Sequence, residues 1–163
     1  MHHAKSNMKI QENSVILPTP DEELLTEKEK KWRLRLPTDF RDFIMKYNGG
    51  IPVEREFNSR GKEYYITRFL CVLKKVSETE FGWYDISVVE SQIGERLTDN
   101  EDLIGIEVLP IAELFGGDYV CLDFRENKTK PTVCIWDHEE SGEFSPATYI
   151  VADKFSTFIA MLH

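Results

Sequence analysis

Residues 109–138, LPIAELFGGDYVCLDFRENKTKPTVCIWDH, constrain the fold more than any other stretch of this chain. Tyr119-Val120-Cys121-Leu122-Asp123-Phe124 alternates two side-chain sets, and Thr132-Val133-Cys134-Ile135-Trp136 is a second β-branched and aromatic run. Both patterns predict pleated, half-buried strands, and the polar residues 125–130 join them into a hairpin. Gly116-Gly117-Asp118 lets the chain turn sharply before the first strand, because glycine reaches positive φ without a Cβ clash. An acidic, aromatic tip, Trp136-Asp137-His138-Glu139-Glu140, follows the second strand.

The flanking sequence supplies helices and further strands. Thr19-Pro20-Asp21-Glu22 signals a helix start, with Thr19 able to cap, Pro20 suited to the first helical position and Glu22 where a capping-box acid belongs. This helix is expected to reach about Arg35, its apolar positions being Leu24, Leu25 and Trp32, its lysines and arginines a solvated face. Leu36-Pro37 breaks it. Phe40, Phe43, Ile44 and Tyr47 then recur at i, i+3, i+4 and i+7, which predicts a second helix with one buried face, ended by left-handed residues in Asn48-Gly49-Gly50. Residues 64–73 predict a central strand. Asp85 or Ser87 caps a helix striped by Ile86, Val89, Ile93 and Leu97, and residues 104–112 predict a strand in which Pro110 marks an end, an edge or a bulge. Thr148-Tyr149-Ile150-Val151-Ala152 is a last strand, and Asp153 is placed to cap a last helix carrying Phe155, Phe158, Ile159 and Leu162. The expectation is an α+β fold: a single domain over residues 19–163, a largely antiparallel twisted sheet flanked by about four helices. Residues 1–18 are expected to be an N-terminal arm, poorly ordered or adding an edge segment.

Composition narrows the function. With 163 residues, 41% of them hydrophobic and 30% charged, the chain is long enough to bury a core and reads as globular rather than disordered. No apolar run approaches the roughly 20 residues that span a bilayer, and no apolar leader follows Met1, so the default expectation is cytoplasmic, without membrane contact. Cys71, Cys121 and Cys134 are odd in number and lack C-x-x-C spacing, which predicts buried reduced thiols. The formal net charge is −9; residues 101–147 alone hold eleven Asp or Glu against three Arg or Lys. So concentrated a negative charge repels nucleic-acid phosphates and attracts a basic partner, or else is simply a solvated face.

Two motif blocks carry a family resemblance. Leu36-Pro37-xx-Phe40-xx-Phe43-Ile44 with Tyr47-Asn48-Gly49-Gly50-Ile51-Pro52 forms the first; Gly116-Gly117-Asp118, the LDF strand, Trp136-Asp137-His138 and Phe155-xx-Phe158 form the second. In this order and spacing they resemble the SUKH superfamily, which includes fungal cell-wall assembly regulators and bacterial immunity proteins. The resemblance spans residues 24–162, with only a strand and a helix matched over residues 55–99. It implies the fold above and a non-enzymatic immunity protein that neutralises a cognate bacterial toxin by tight binding. If that toxin is a nuclease its phosphate-gripping surface is basic, and an acidic protein can cover it.

Catalysis requires a nucleophile with a base, paired carboxylates or a metal cluster, and none is well signalled. His2 and His3 lie in the arm and His163 is the last residue, leaving His138 as the only histidine within the fold. Asp118, Asp123, Asp137 and His138 could converge on a hard cation, but one embedded histidine argues against a histidine-rich centre, so no metal and no cofactor is assigned. Trp136-Asp137-His138 admits a structural reading, tryptophan in the core with the turn hydrogen-bonded, and a binding-cleft reading. The partner-binding set is therefore Asp118, Asp123, Trp136, Asp137, His138, Glu139, Glu140 and Glu143, with Trp83 and Tyr84 as further aromatic anchors. The alternatives are a regulatory scaffold of the cell-wall type and a small metal-dependent hydrolase. Salt-sensitive binding of one basic protein separates the first reading from a tightly bound ion that would favour the last.

Overall fold

Every strand of the sheet pairs with its neighbour in the chain. In the computed structural model, which describes residues 8–163, six antiparallel strands stand in the order β1 to β6. They are β1 (Glu56–Ser59), β2 (Lys62–Phe69), β3 (Val108–Leu114), β4 (Tyr119–Asp123), β5 (Thr132–Trp136) and β6 (Thr148–Ala152). Four helices accompany them: α1 (Glu22–Trp32), α2 (Thr38–Tyr47), α3 (Ile86–Ile93) and α4 (Phe155–Met161). The single α+β domain expected from the sequence is thus present. Among the described residues no helix is long and apolar enough to cross a membrane.

The β4–β5 hairpin has the expected bounds except that β4 ends at Asp123, one residue before Phe124, and it pairs Tyr119 with Trp136, Cys121 with Cys134 and Asp123 with Thr132. Its two side-chain sets separate as the alternation requires. Val120, Leu122, Val133 and Ile135 enter the main core, whereas Cys121, Cys134 and Trp136 pack with Leu97 and Val108 in a smaller one. All three cysteines are buried and free. Pro110 does mark a bulge, since the β3–β4 register slips between Pro110 and Ala112, although β3 is an interior strand and starts at Val108 rather than Ile104. On the main face α2 and α4 dock through Phe40, Phe43, Phe69 and Phe155; the Phe40–Phe155 and Phe43–Phe155 rings meet edge to face at 5.2 and 5.1 Å. Such pairs add roughly 0.5–1.5 kcal/mol each beyond the area they bury.

Several local expectations are corrected. Asp21, not Thr19, caps α1, its carboxylate accepting from Leu24 N at 2.8 Å, and the helix stops at Trp32 because Arg33 adopts a left-handed φ of 61°. Within Asn48-Gly49-Gly50 only Gly49 has a positive φ, 68°. Asn48 instead turns its fully buried amide inward, donating to Ile16 O and Val72 O and accepting from Val72 N. The strand expected over residues 64–73 leaves the sheet after Phe69, and a short partner, β1, precedes it. Asp85, 1% exposed, caps α3 as foreseen, and its second oxygen holds Leu73 N. Asp153 does not cap α4; Asp39 of α2 accepts from Ser156 N at 2.9 Å instead.

The arm expected for residues 1–7 lies outside the described residues. Residues 8–18 run along the domain: Ile10 bridges Pro52, and Ile16 is buried with its N–H donating to Asn48 O.

Candidate functional site: an acidic end of the sheet

In a meander, alternate connections emerge at the same end of the sheet. Here the β1–β2 turn at Arg60-Gly61, the β3–β4 turn at residues 115–118 and the β5–β6 loop at residues 137–147 share one end. The Tyr119–Trp136 pairing brings Asp118 and Asp137, the residues just beyond it, side by side. Asp118 Oδ1 accepts from His138 N at 2.9 Å and lies 2.6 Å from His138 Nδ1. Asp137 Oδ1 accepts from the N–H groups of Glu139 and Glu140, which folds the acidic tip into a tight turn. Gly117, at φ 108°, allows this closeness, because a Cβ there would lie 3.3 Å from the His138 ring.

The loop is also fixed from beneath. Trp136 is 1% exposed, and its indole N–H donates to Arg96 O at 2.8 Å. Arg96, in the 3-10 turn Gly94–Arg96 that extends α3, stacks on the Trp136 ring and donates to His138 O and Ser141 O. Phe144, at a left-handed φ of 54°, donates its N–H to Glu95 O, and Ser141 Oγ accepts from Ala147 N. These bonds hold the carboxylates of the tip on a pinned backbone, so little ordering entropy remains to oppose binding.

The site residues expected from the sequence divide accordingly. Asp118, Asp137, His138, Glu139, Glu140 and Glu143 meet at this end. Glu139, Glu140 and Glu143 are exposed; Glu140 accepts from the Tyr149 hydroxyl, whose ring carries the Arg60 guanidinium 3.5 Å from its centroid. That bond to Glu140 is the leading cause of a raised Tyr149 pKa. Trp136 supports the loop from inside rather than standing at its surface. Asp123 sits at the far end of β4, where Arg125 chelates both its oxygens at 2.9 and 2.7 Å, and that pairing raises the arginine's own pKa.

Glu143 also borders a cleft of about 670 Å³ between α3, the following 3-10 turn and the β5–β6 loop, which Glu90, Glu95 and Glu101 line as well. Burial pushes the Glu90 carboxyl above its usual range. Trp83 is 71% exposed, but it precedes α3, whereas the acidic loop contacts the residues that follow it. Eight helical residues, about 12 Å, separate the two positions. Tyr84 is half-buried under Arg68. The exposed aromatic that does adjoin the acids is Phe115, 79% exposed at the tip of the Gly116-Gly117 turn. The sequence offered one sign of it: an apolar residue placed after a strand's last inward position and directly before a glycine pair.

The family profile SUKH_6, described as SMI1-KNR4 cell-wall, matches residues 22–159. The SPbeta prophage-derived uncharacterized protein YokK of Bacillus subtilis (strain 168) is 26% identical over 150 residues, covering 86% of this chain and 73% of that protein. No solved structure matches the chain. Since the profile extends from the first turn of α1 into α4, taking in both motif blocks and the acidic loop, the chain belongs to the SUKH family.

Proposed function

We propose that this chain is a non-enzymatic immunity protein that binds a cognate basic protein toxin through the acidic end of its sheet and so neutralises it. The observation that carries the reading is a set of carboxylates, Asp137, Glu139 and Glu143, that are fixed by their backbone yet paired with no Lys or Arg among the described residues. Solvated carboxylates held in a rigid array raise a local negative potential that speeds encounter with a basic surface. A nuclease toxin fits best, because the groups with which it holds phosphate are the ones such an array engages. Phe115 supplies the apolar anchor that interfaces concentrate at their centre. Trp136, Asp118 and His138 then act by shaping the face rather than by touching the partner, and Asp123, at the far end of β4, takes no part in it. The prophage origin of the similar Bacillus protein supports an immunity role over the cell-wall regulator reading. On this proposal the protein works in the cytoplasm, without a cofactor and without contacting nucleic acid itself.

The test is affinity purification from the source cells with the full chain as bait, at low and high salt, beside a variant carrying Asp137→Lys, Glu139→Lys and Glu140→Lys. Retention of one basic protein at low salt, reduced at high salt and by the variant, is the expected result; mixing the purified pair in equal amounts should then abolish that protein's nuclease activity. Equal retention by the charge-reversed bait, or no specific protein at either salt, overturns the proposal.

A further inference from the structure

We propose that the end of the sheet opposite the acidic loop carries a site for a small polyphosphate anion. A pocket of about 390 Å³ lies there between the end of α1 and the β4–β5 connection, and Lys30, Arg33, Arg35 and Lys128 line it. The sequence reads the α1 cations as a solvated face, but the fold gathers three of them with a fourth from the hairpin. About a dozen water-sized groups, at roughly 30 Å³ each, fit such a volume, which is the size of a triphosphate chain.

Three observations favour an oxyanion ligand over a merely solvated surface. First, the cations are uncompensated. The chain carries a formal net charge of −9, yet among the described residues Lys30, Arg33 and Arg35 form no ion pair, and Lys128 meets only Glu107, at 3.3 Å. The one acid in the lining, Glu29, is already spent: Arg41 stands 2.9 Å from its Oε1, and its Oε2 accepts from Leu36 N at 2.7 Å. Second, the backbone beneath the cations is held on both sides of the pocket. Arg35 N donates to Lys128 O at 3.0 Å, and Glu29 O receives the N–H groups of Arg33 and Leu34. Asn127 Oδ1 closes the hairpin loop by accepting from Thr129 N and Lys130 N. Side-chain ordering is then the main entropy cost of binding. Third, Arg33 holds the left-handed position, φ 61°, at which glycine commonly ends a helix and which costs any residue that carries a Cβ. The guanidinium set there at that cost has planar donors that bind phosphate oxygens in pairs. The site does not rest on the toxin reading, which concerns the other end of the sheet.

The experiment is calorimetric titration of the full chain with sodium triphosphate, in magnesium-free buffer at neutral pH. One equivalent is expected to bind, more weakly as salt is raised, with a rise in melting temperature that sulfate at matched ionic strength does not give. ATP should bind no more tightly than triphosphate, since no aromatic side chain lines the pocket to stack on a base. Arg35→Gln and Lys128→Gln should each weaken binding about tenfold, the scale of one charge-assisted hydrogen bond. Both side chains are exposed, so these variants fold. Arg33→Gly relieves the left-handed backbone: it should melt no lower than the parent yet bind about tenfold more weakly, which separates binding from folding. Lys154→Gln, at an exposed cation before α4, should leave the affinity unchanged. Absence of binding, an equal effect of sulfate, or an affinity that survives all three pocket replacements overturns the site.

Discussion

Asn48 tests how far a surface-looking motif is internal structure. A sequence reading places it at the end of a helix, where an asparagine would meet solvent, but its amide is fully buried and makes three hydrogen bonds. Its Nδ2 donates to Ile16 O at 3.0 Å and Val72 O at 3.2 Å, and its Oδ1 accepts from Val72 N at 2.8 Å. It therefore joins the N-terminal segment, the end of α2 and the chain beyond β2. Asn48→Ala removes all three bonds, at about 1 kcal/mol each, and strands an N–H and two carbonyls away from water, which raises the loss to about 3–4 kcal/mol. Against the roughly 5–15 kcal/mol that hold a domain together this is a large fraction. A fall of roughly 10 °C in melting temperature accompanies it. Urea unfolding followed by tryptophan fluorescence reads the effect as a lower midpoint at unchanged slope. Asn48→Asp, which keeps the bond from Val72 N but loses both donors and buries a charge, should cost at least as much. A loss below about 1 kcal/mol for Asn48→Ala, the scale of an exposed cap, refutes the buried-junction reasoning.

Two further outcomes follow from burial. Desolvation raises the carboxyl pKa of Asp85 and of Glu90 in the fold, so between their ordinary and raised values the folded state holds more protons than the unfolded chain. Their contribution to stability must then fall as pH rises through that window, and Glu90→Gln should flatten the stability-versus-pH curve above pH 4.5; an unchanged curve counts against it. The thiols should be inert: burial pushes Cys71 up to about 12 and Cys121 well above its usual value. A thiol-reactive disulfide reagent at pH 8 should label none of the three cysteines in the folded chain and all of them in urea, and rapid labelling of the folded protein would contradict this.

Legibility in the sequence followed how local each signal was. The β4–β5 hairpin was readable because alternation, β-branched residues and a polar connection coincide within one short stretch. The first strand was not, since Glu56-Phe57-Asn58-Ser59 contains a single apolar residue and takes its strand from pairing with β2. Its turn did carry a clue: Arg60 and Gly61 both have positive φ, 54° and 72°, the geometry of a tight two-residue hairpin, but arginine is not the residue usually found there. Asp39 capping α4 links positions more than a hundred residues apart and leaves no local trace. At the site, the acidic tip was visible as composition. The burial of Trp136 beneath the tip was one of the two readings its motif offered, and the structure bears it out; what the composition did not contain was the pinning of that tip by Arg96 and the separation of Asp123 to the other end of β4, both of which depend on which elements are neighbours.

That neighbour-to-neighbour strand order has an evolutionary consequence. Each register is set within its own ladder, so the three connections at the acidic end can lengthen, shorten or change charge without altering any strand's place. The sheet acts as a constant frame and the loops as separately editable text. Recognition of a new partner needs no new fold, only changes at residues 60–61, 115–118 and 137–147, while the opposite end, with its β4–β5 connection, can drift under different constraints.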